Sequence, residues 1–194
     1  MNIAFFDFDG TISFKDSFID FLAFKSKSEF YMKFAFALPF FAAYKLGFLK
    51  EQAIKNLALT LIYKNFKKEH FMVLCSRYAS EVLPTILRAK AKEKLAWHKD
   101  NGDKIVIVTA SLEEYLKPWC EKNGFELIAS KLEVRNNRIT GRLLGTNCSG
   151  DEKVRQIKEK YDLSTFEKIY AYGDTKADLA MLSLADEKFY KPFL

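Results

Sequence analysis

The opening segment Ile3-Ala4-Phe5-Phe6-Asp7-Phe8-Asp9-Gly10-Thr11 constrains the fold more than any other stretch of the chain. Four apolar residues running straight into an acidic, glycine-containing turn have the pattern of a strand covered on both faces in a parallel sheet. Open α/β sheets bind ligands beyond the carboxyl ends of their strands, which is where Asp7 and Asp9 fall. Residues two apart in extended chain share a side, so both carboxylates can reach one pocket. Two such charges repel unless a cation joins them, and a hard, oxygen-seeking Mg²⁺ suits the pair. Taken alone, the segment also fits a purely structural acidic turn.

Three further runs look like buried strands: Ile105-Val106-Ile107-Val108, Leu127-Ile128-Ala129 and Ile169-Tyr170-Ala171. Helical stretches lie between them, Pro84 to Lys99 before the second strand and Leu112 to Lys122 after it, with Gly124 as C-terminal stop. The alternation of strand and helix predicts an α/β fold built on a Rossmann-like, doubly wound parallel sheet. Lys131 to Leu144 reads instead as a small β-flap turning at Asn136-Asn137. A crossover needs one helix and two loops, yet about ninety residues separate the first two strands. That excess is aromatic: 15 of the 19 phenylalanines fall at or before Phe71. The expected division is a catalytic core of residues 1–13 and 84–194 with a helical cap of residues 14–83 inserted after the first strand. Pro39, Gly47 and the charged run Lys64 to Glu69 are the expected breaks between the cap helices.

Composition removes several classes of function. With 49% hydrophobic residues the chain can offset its ordering entropy by burial, so disorder is excluded as the main state. The three cysteines, Cys75, Cys120 and Cys148, are widely spaced and form neither a disulfide framework nor a zinc motif. The first residues have no basic or small-residue export pattern, so the expected location is the cytoplasm. A net charge of +6 fits an anionic partner or plain solubility. The basic residues are scattered and no nucleic-acid-reading motif occurs, so no nucleic acid is expected. Nothing in the sequence sets the oligomeric state.

The remaining chemistry also falls at strand ends. Thr109-Ala110-Ser111 follows the second strand and precedes a helix, offering hydroxyls and backbone N–H groups to an anion. A capping box made by Ser111 and Glu114 is compatible with the same residues. Gly173-Asp174-Thr175-Lys176-Ala177-Asp178 brings further carboxylates, and Lys153 stands near the start of a helix opened by Gly150-Asp151-Glu152. In this order the four segments resemble the four motifs of the haloacid dehalogenase (HAD) superfamily. The long insert after the first motif resembles the C1-capped subfamily that includes phosphoserine phosphatases. The resemblance implies a Mg²⁺-dependent phosphomonoester hydrolase working through an aspartyl-phosphate. Asp7 is then the nucleophile and Asp9 the general acid and base, its backbone carbonyl also on the metal. Asp7 and Asp174 hold Mg²⁺ directly and Asp178 supports metal waters or Lys153. Thr109, Ala110, Gly10, Thr11 and Lys153 cradle the phosphoryl group. The dehalogenases of the superfamily lack the second acid, so Asp9 favours phosphate-ester hydrolysis.

The chain departs from the phosphoserine phosphatase pattern at Gly10, at Thr109-Ala110-Ser111 and in the fourth motif. Asp16 stands nine residues after Asp7, where those enzymes place an acid for the substrate amine, and a helix N-cap is its other reading. Within Glu29 to Phe48 the uncharged run Phe34 to Tyr44 is only eleven residues and contains Pro39, too short to span a bilayer, which takes roughly 20. It reads either as a helix hairpin in the cap core or as an interfacial element. The latter is similar to the apolar cap of bacterial phosphatidylglycerophosphate phosphatases, with Phe40 and Phe41 as lipid-facing candidates and peripheral contact at the inner membrane face. A lipid phosphomonoester is therefore one expected substrate and a small soluble ester such as phosphoserine another. A third reading, from another class, is a phosphate- or membrane-binding module without turnover. His70 and His98 show no nucleophile-base partner in the sequence, and Trp97, Trp119 and Cys148 read as packing residues.

Overall fold

The computed structural model describes residues 1–194, apart from the side chains of Lys27, Glu29 and Phe36. Strand β1 (Ile3–Phe6) pairs in parallel with β2 (Lys104–Leu112) on one side and β5 (Ile169–Gly173) on the other. Outward from β2 come β3 (Glu126–Arg135), parallel, and β4 (Arg138–Leu144), antiparallel; outward from β5 comes β6 (Glu187–Tyr190), parallel. The six-stranded order β4-β3-β2-β1-β5-β6 changes direction at β1, so Asp7 leaves the sheet at its switch point. Side chains alternate as strand geometry requires. Ile3 and Phe5 join Val106, Val108, Ile128 and Ala171 on one face, and Ala4 and Phe6 join Ile105, Ile107 and Tyr172 on the other.

Four helices fill the insert between β1 and β2: α1 (Ser17–Phe24), α2 (Lys27–Lys45), α3 (Glu51–Tyr63) and α4 (Lys68–Glu81). Helix α5 (Ala89–Asp100) leads into β2 and α6 (Glu113–Asn123) leaves it; α7 (Asp151–Lys160) and α8 (Leu179–Leu182) flank β5. The aromatic insert does not pack separately. Phe21 of α1 is fully buried, with its ring 4.8 Å from Tyr115 of α6, 5.2 Å from Tyr78 and 5.5 Å from Tyr63. Such ring pairs are each worth about 0.5–1.5 kcal/mol beyond area burial, so the cluster ties the helices to the sheet.

Along its other edge the insert is held by a polar ladder. Gln52, Asn56 and Thr60 recur every fourth residue on one side of α3, the spacing that aligns side chains on a helix. Thr60 Oγ1 donates to Gly141 O at 3.0 Å, Asn56 Oδ1 accepts from Leu143 N at 2.9 Å and Gln52 Nε2 donates to Gly145 O at 2.8 Å. Gly141 (φ +83°) permits this approach, since a Cβ there would lie 2.5 Å from Thr60 Cα.

Several local expectations are corrected. Pro39 does not break a helix: α2 runs through it, losing only the hydrogen bond that Pro39 cannot donate. Strand β2 continues past Val108 to Leu112, so Thr109, Ala110 and Ser111 belong to the strand, and Leu112 is the N-cap of α6 with no side-chain cap bond. The Ser111 and Glu114 box is therefore absent; Glu114 Oε1 instead accepts from Leu132 N at 2.8 Å. The third strand and the flap are continuous, because β3 runs from the parallel sheet into the β3–β4 hairpin. Asn136 and Asn137 both take positive φ at its turn, as expected for a two-residue hairpin. Strand β6, with only four residues and an alternating, half-exposed pattern, went unread in the sequence.

Candidate active site

Asp7 sits just beyond β1, 6% exposed, with Oδ1 2.6 Å from Lys153 Nζ. Lys153 lies in the first turn of α7, buried to 2% exposure, and also donates to Asp178 Oδ1 at 2.7 Å. Burial opposes its charge, but the two carboxylates outweigh burial and hold the ammonium protonated above its ordinary range. Burial pushes the Asp7 carboxyl up to about 7 against the pull of Lys153. Burial also acts on Asp178, yet Lys153 and the hydrogen bonds of Thr175 keep that carboxyl below its usual value. Asp178 Oδ2 accepts from Thr175 Oγ1 at 2.8 Å and Thr175 N at 3.0 Å, which locks the turn after β5.

Asp174 stands in that same turn, half-buried, and accepts from Thr11 Oγ1 at 3.1 Å. Its approach depends on Gly10 (φ +82°): a Cβ there would come within 2.3 Å of Asp174 Oδ2. Carboxylate oxygens of Asp7, Asp174 and Asp178 lie within 4.8 Å of one another. An all-oxygen set gathered in a cradle that only glycine permits fits a hard divalent cation such as Mg²⁺. The side chain of Asp9 is not in this group. Its Oδ1 accepts from Ser17 N at 2.6 Å and its Oδ2 from Ser111 Oγ at 2.5 Å. Burial, with Asp16 nearby, raises the Asp9 carboxyl despite these donors.

Thr109 is buried, and its Oγ1 accepts from Ser111 N at 3.0 Å, so that backbone N–H, expected to be free for an anion, is already used. Thr109, Ala110, Gly10, Asp7, Asp9, Lys153 and Asp178 all line one cavity of about 470 Å³, with Asp16 on its outer wall. Asp16 caps α1, accepting from Ile19 N at 2.9 Å. Phe40 is 48% exposed, while Phe41 is half-buried with its ring 4.8 Å from Phe34; neither lines this cavity.

Sequence reading missed a group of hydroxyls around Asp9. Ser17 Oγ lies 3.2 Å from Ser111 Oγ and 3.0 Å from Tyr115 OH, and Tyr78 OH donates to Ser17 O at 3.1 Å. No spacing in the sequence marks this group, because Ser111 belongs to β2, Tyr115 to α6, and Ser17 and Tyr78 to the insert. It also missed Lys55 of α3, which reaches Ala110 O at 2.8 Å, and Glu51, which pairs with Lys55 at 3.0 Å. A Glu and a Lys four apart on a helix otherwise read as an ordinary surface pair.

Among known proteins, the chain is 32% identical over 194 residues to Protein CicA of Caulobacter vibrioides, covering 97% of this chain and 85% of that one. It is 24% identical to a histidinol-phosphatase of Neisseria meningitidis serogroup C, over 96% of this chain and 88% of the relative. A solved substrate-bound phosphoserine phosphatase complex shares the fold with a TM-score of 0.68 at 19% identity, over 96% of this chain and 83% of that one. The family model of haloacid dehalogenase-like hydrolases matches residues 4–183, from the first strand to the turn after α8. With acids at the ends of β1 and β5 and a buried lysine between them, that match makes this chain a member of the haloacid dehalogenase-like hydrolase family.

Proposed function

We propose that the protein is a Mg²⁺-dependent phosphomonoester hydrolase that acts through an aspartyl-phosphate. The observation that carries the reading is the separation of two buried carboxyls at one cavity. Asp7 faces Lys153, and Asp9 faces Ser17 and Ser111. In this reading Asp7 attacks phosphorus, the bond to the leaving oxygen breaks, and Asp9 gives that oxygen a proton. Asp9 then takes a proton from the water that releases phosphate, a dual task suited to a carboxyl raised by burial. Lys153, Thr109 and the Gly10-Thr11 turn surround the transferring group, and Asp7, Asp174 and Asp178 are the residues to hold the cation, with the Asp9 carbonyl as a further donor. A bound Mg²⁺ supplies charge neutralisation for the phosphoryl oxygens. Residues 1–13 and 84–194 carry this chemistry, residues 14–83 cover it, and the enzyme works in the cytoplasm. The histidinol- and phosphoserine-directed names of its relatives support the reaction class. The test is phosphate release from p-nitrophenyl phosphate with Mg²⁺ and after chelation. Release that needs Mg²⁺ and disappears in Asp7→Asn supports the reading; release unchanged by either treatment overturns it.

A second reading concerns α2. Tyr31, Met32, Leu38, Phe40, Leu46 and Phe48 are all exposed, between 48% and 79%, along this helix and the turn after it. Lysines at helix ends beside such a surface suit anionic headgroups. No described helix is long and apolar enough to cross a membrane. In this reading α2 rests on a lipid surface and the substrate is a lipid phosphomonoester. Co-sedimentation with anionic vesicles, lost in Phe40→Ser/Phe48→Ser, supports it; a wild-type protein that stays in the supernatant rules it out.

A further inference from the structure

The half of the cavity away from Lys153 is walled by the insert, and its hydrogen-bonding capacity is lopsided. Lys55 enters it from α3 with its side chain only 12% exposed. An ammonium has three donors, and all three are committed: Ala110 O at 2.8 Å, Asn147 Oδ1 at 3.1 Å and Glu51 Oε1 at 3.0 Å. The other cation on this wall, Lys15, is turned toward Asp20 at 3.5 Å. Glu51 is in the opposite position. Its Oε1 accepts from Lys55, its Oε2 from Ser149 Oγ at 3.1 Å, and the Asn147 side chain donates to the carboxylate as well, which leaves about one of its four or so acceptor sites open. Its side chain is 38% exposed and faces the cavity. Phe14, Phe18 and Tyr44 complete the wall with aromatic faces. Among the described residues, this wall therefore offers an acceptor and ring faces, its buried cation Lys55 is fully engaged, and Lys15 is half exposed with a single 3.5 Å contact to Asp20.

We infer that Glu51 selects phosphomonoesters whose alcohol portion carries a protonated amine, and that the committed state of Lys55 selects against alcohols bearing a carboxylate. The inference rests on the phosphomonoesterase reading and names its substrate class. An ammonium on the leaving group gains a charged acceptor in Glu51 and the faces of neighbouring rings. A carboxylate there meets Glu51 and Asp16 while the buried ammonium of Lys55 is already engaged, which is discrimination by repulsion; Lys15, half exposed, is left to water. Burial pushes the Glu51 carboxyl up, but Lys55 and the hydrogen bonds outweigh it and keep the group ionised, consistent with this role.

Four soluble esters separate the two effects. Serinol phosphate carries the amine and a hydroxymethyl; glycerol 3-phosphate replaces the amine with hydroxyl; phosphoserine keeps the amine and adds a carboxylate; 3-phosphoglycerate has the carboxylate without the amine. We expect kcat/KM for serinol phosphate to exceed that for glycerol 3-phosphate by about tenfold, one charge-assisted hydrogen bond's worth. Both carboxylate esters should fall below their hydroxymethyl counterparts. Glu51→Gln, which keeps an acceptor and its place on α3, should bring the serinol-to-glycerol ratio to near one. For the wild type alone, N-acetylation of serinol phosphate should abolish the preference, so the test survives a variant that fails to fold. Equal rates on all four esters overturn the inference, as does a lead for either carboxylate ester or for a micellar lipid phosphomonoester. Each of those outcomes leaves the hydrolase reading standing, whereas failure to hydrolyse p-nitrophenyl phosphate with Mg²⁺ removes both.

Discussion

Asp9 and Asp7 are two positions apart, yet their surroundings push them into different work. Asp7 answers to an ammonium, and Asp9 to a backbone N–H and a hydroxyl. Ser111 is the hydroxyl that joins Asp9 to the end of β2, and without it only the Ser17 donor fixes the ring of possible carboxyl orientations. Ser111→Ala should therefore lower kcat for p-nitrophenyl phosphate by about tenfold with a smaller change in KM, whereas Asp9→Asn should cost about 10²- to 10⁴-fold, the usual range for a lost acid–base group. Equal losses in the two variants would mean that Ser111 does more than orient Asp9. At the cation site, Mg²⁺ should raise the midpoint of thermal unfolding of the wild type, because a ligand that binds only the folded state stabilises it. Asp174→Asn should remove most of that rise while leaving the metal-free midpoint close to wild type. These acids were legible in the sequence because each follows a hydrophobic run at a strand end. Ser111 was misread for a physical reason: a serine before a helix is a good N-cap by composition, and only the extra strand residues of β2 reveal that it points elsewhere.

Helix α3 is the element that turns a covered sheet into a selective cavity, and its two polar edges divide the labour. Gln52, Asn56 and Thr60 fasten it to β4 and the loop beyond, and Glu51 and Lys55 face the chemistry. Gly141 sets the spacing between the two elements. In Gly141→Ala the new methyl would sit 2.5 Å from Thr60 Cα on a backbone with φ of +83°. Left-handed strain and overpacking together should cost about 2–4 kcal/mol in a denaturant titration. Because the displacement reaches Lys55 and Glu51 through the helix, activity at saturating Mg²⁺ should fall as well. A variant as stable as wild type would show that α3 and β4 can separate freely. Element identity was legible where the hydrophobic period was strong, as in β1, β2 and the helical insert. It failed at Pro39, where tertiary packing on α3 tolerates one missing hydrogen bond, and at β6, whose four half-exposed residues carry almost no periodic signal.

At the scale of the whole molecule, the two edges of the sheet are unequal: the β4 edge is clamped to the insert, and the β6 edge is held by a stack of rings. Tyr172 is its centre, parallel to Phe6 at 4.2 Å and to Phe189 at 4.6 Å, so it joins β1, β5 and β6. Its hydroxyl lies 3.0 Å from His98 Nε2, and His98 Nδ1 lies 2.7 Å from Asp103 Oδ2. This arrangement was invisible in the sequence, where His98 is one histidine near the end of a helix and its partners lie five and 74 residues away. A carboxylate only accepts, so Nδ1 carries the proton of the neutral ring and Nε2 accepts from Tyr172. Burial lowers the His98 pKa from 6.5 even though Asp103 pulls it upward. A histidine depressed in this way contributes stability that is fully present above the unfolded value and is lost as pH falls through the folded value, since the unfolded chain binds the proton first. His98 should therefore contribute a fall in unfolding free energy below pH 6.5, with a slope of up to about 1.4 kcal/mol per pH unit, the value for one proton. Asp7 and Asp9, raised by burial, act in the opposite sense in wild type and in a His98 variant alike, so the contribution is read as the difference between the two. His98→Gln keeps a polar side chain at that site but cannot titrate, so it should be less stable than wild type at pH 8, and the gap between the two should narrow as pH falls below 6.5. Parallel curves for the two proteins between pH 5 and 7 would show that His98 does not titrate in that window, leaving the ring stack to hold the β6 edge without it.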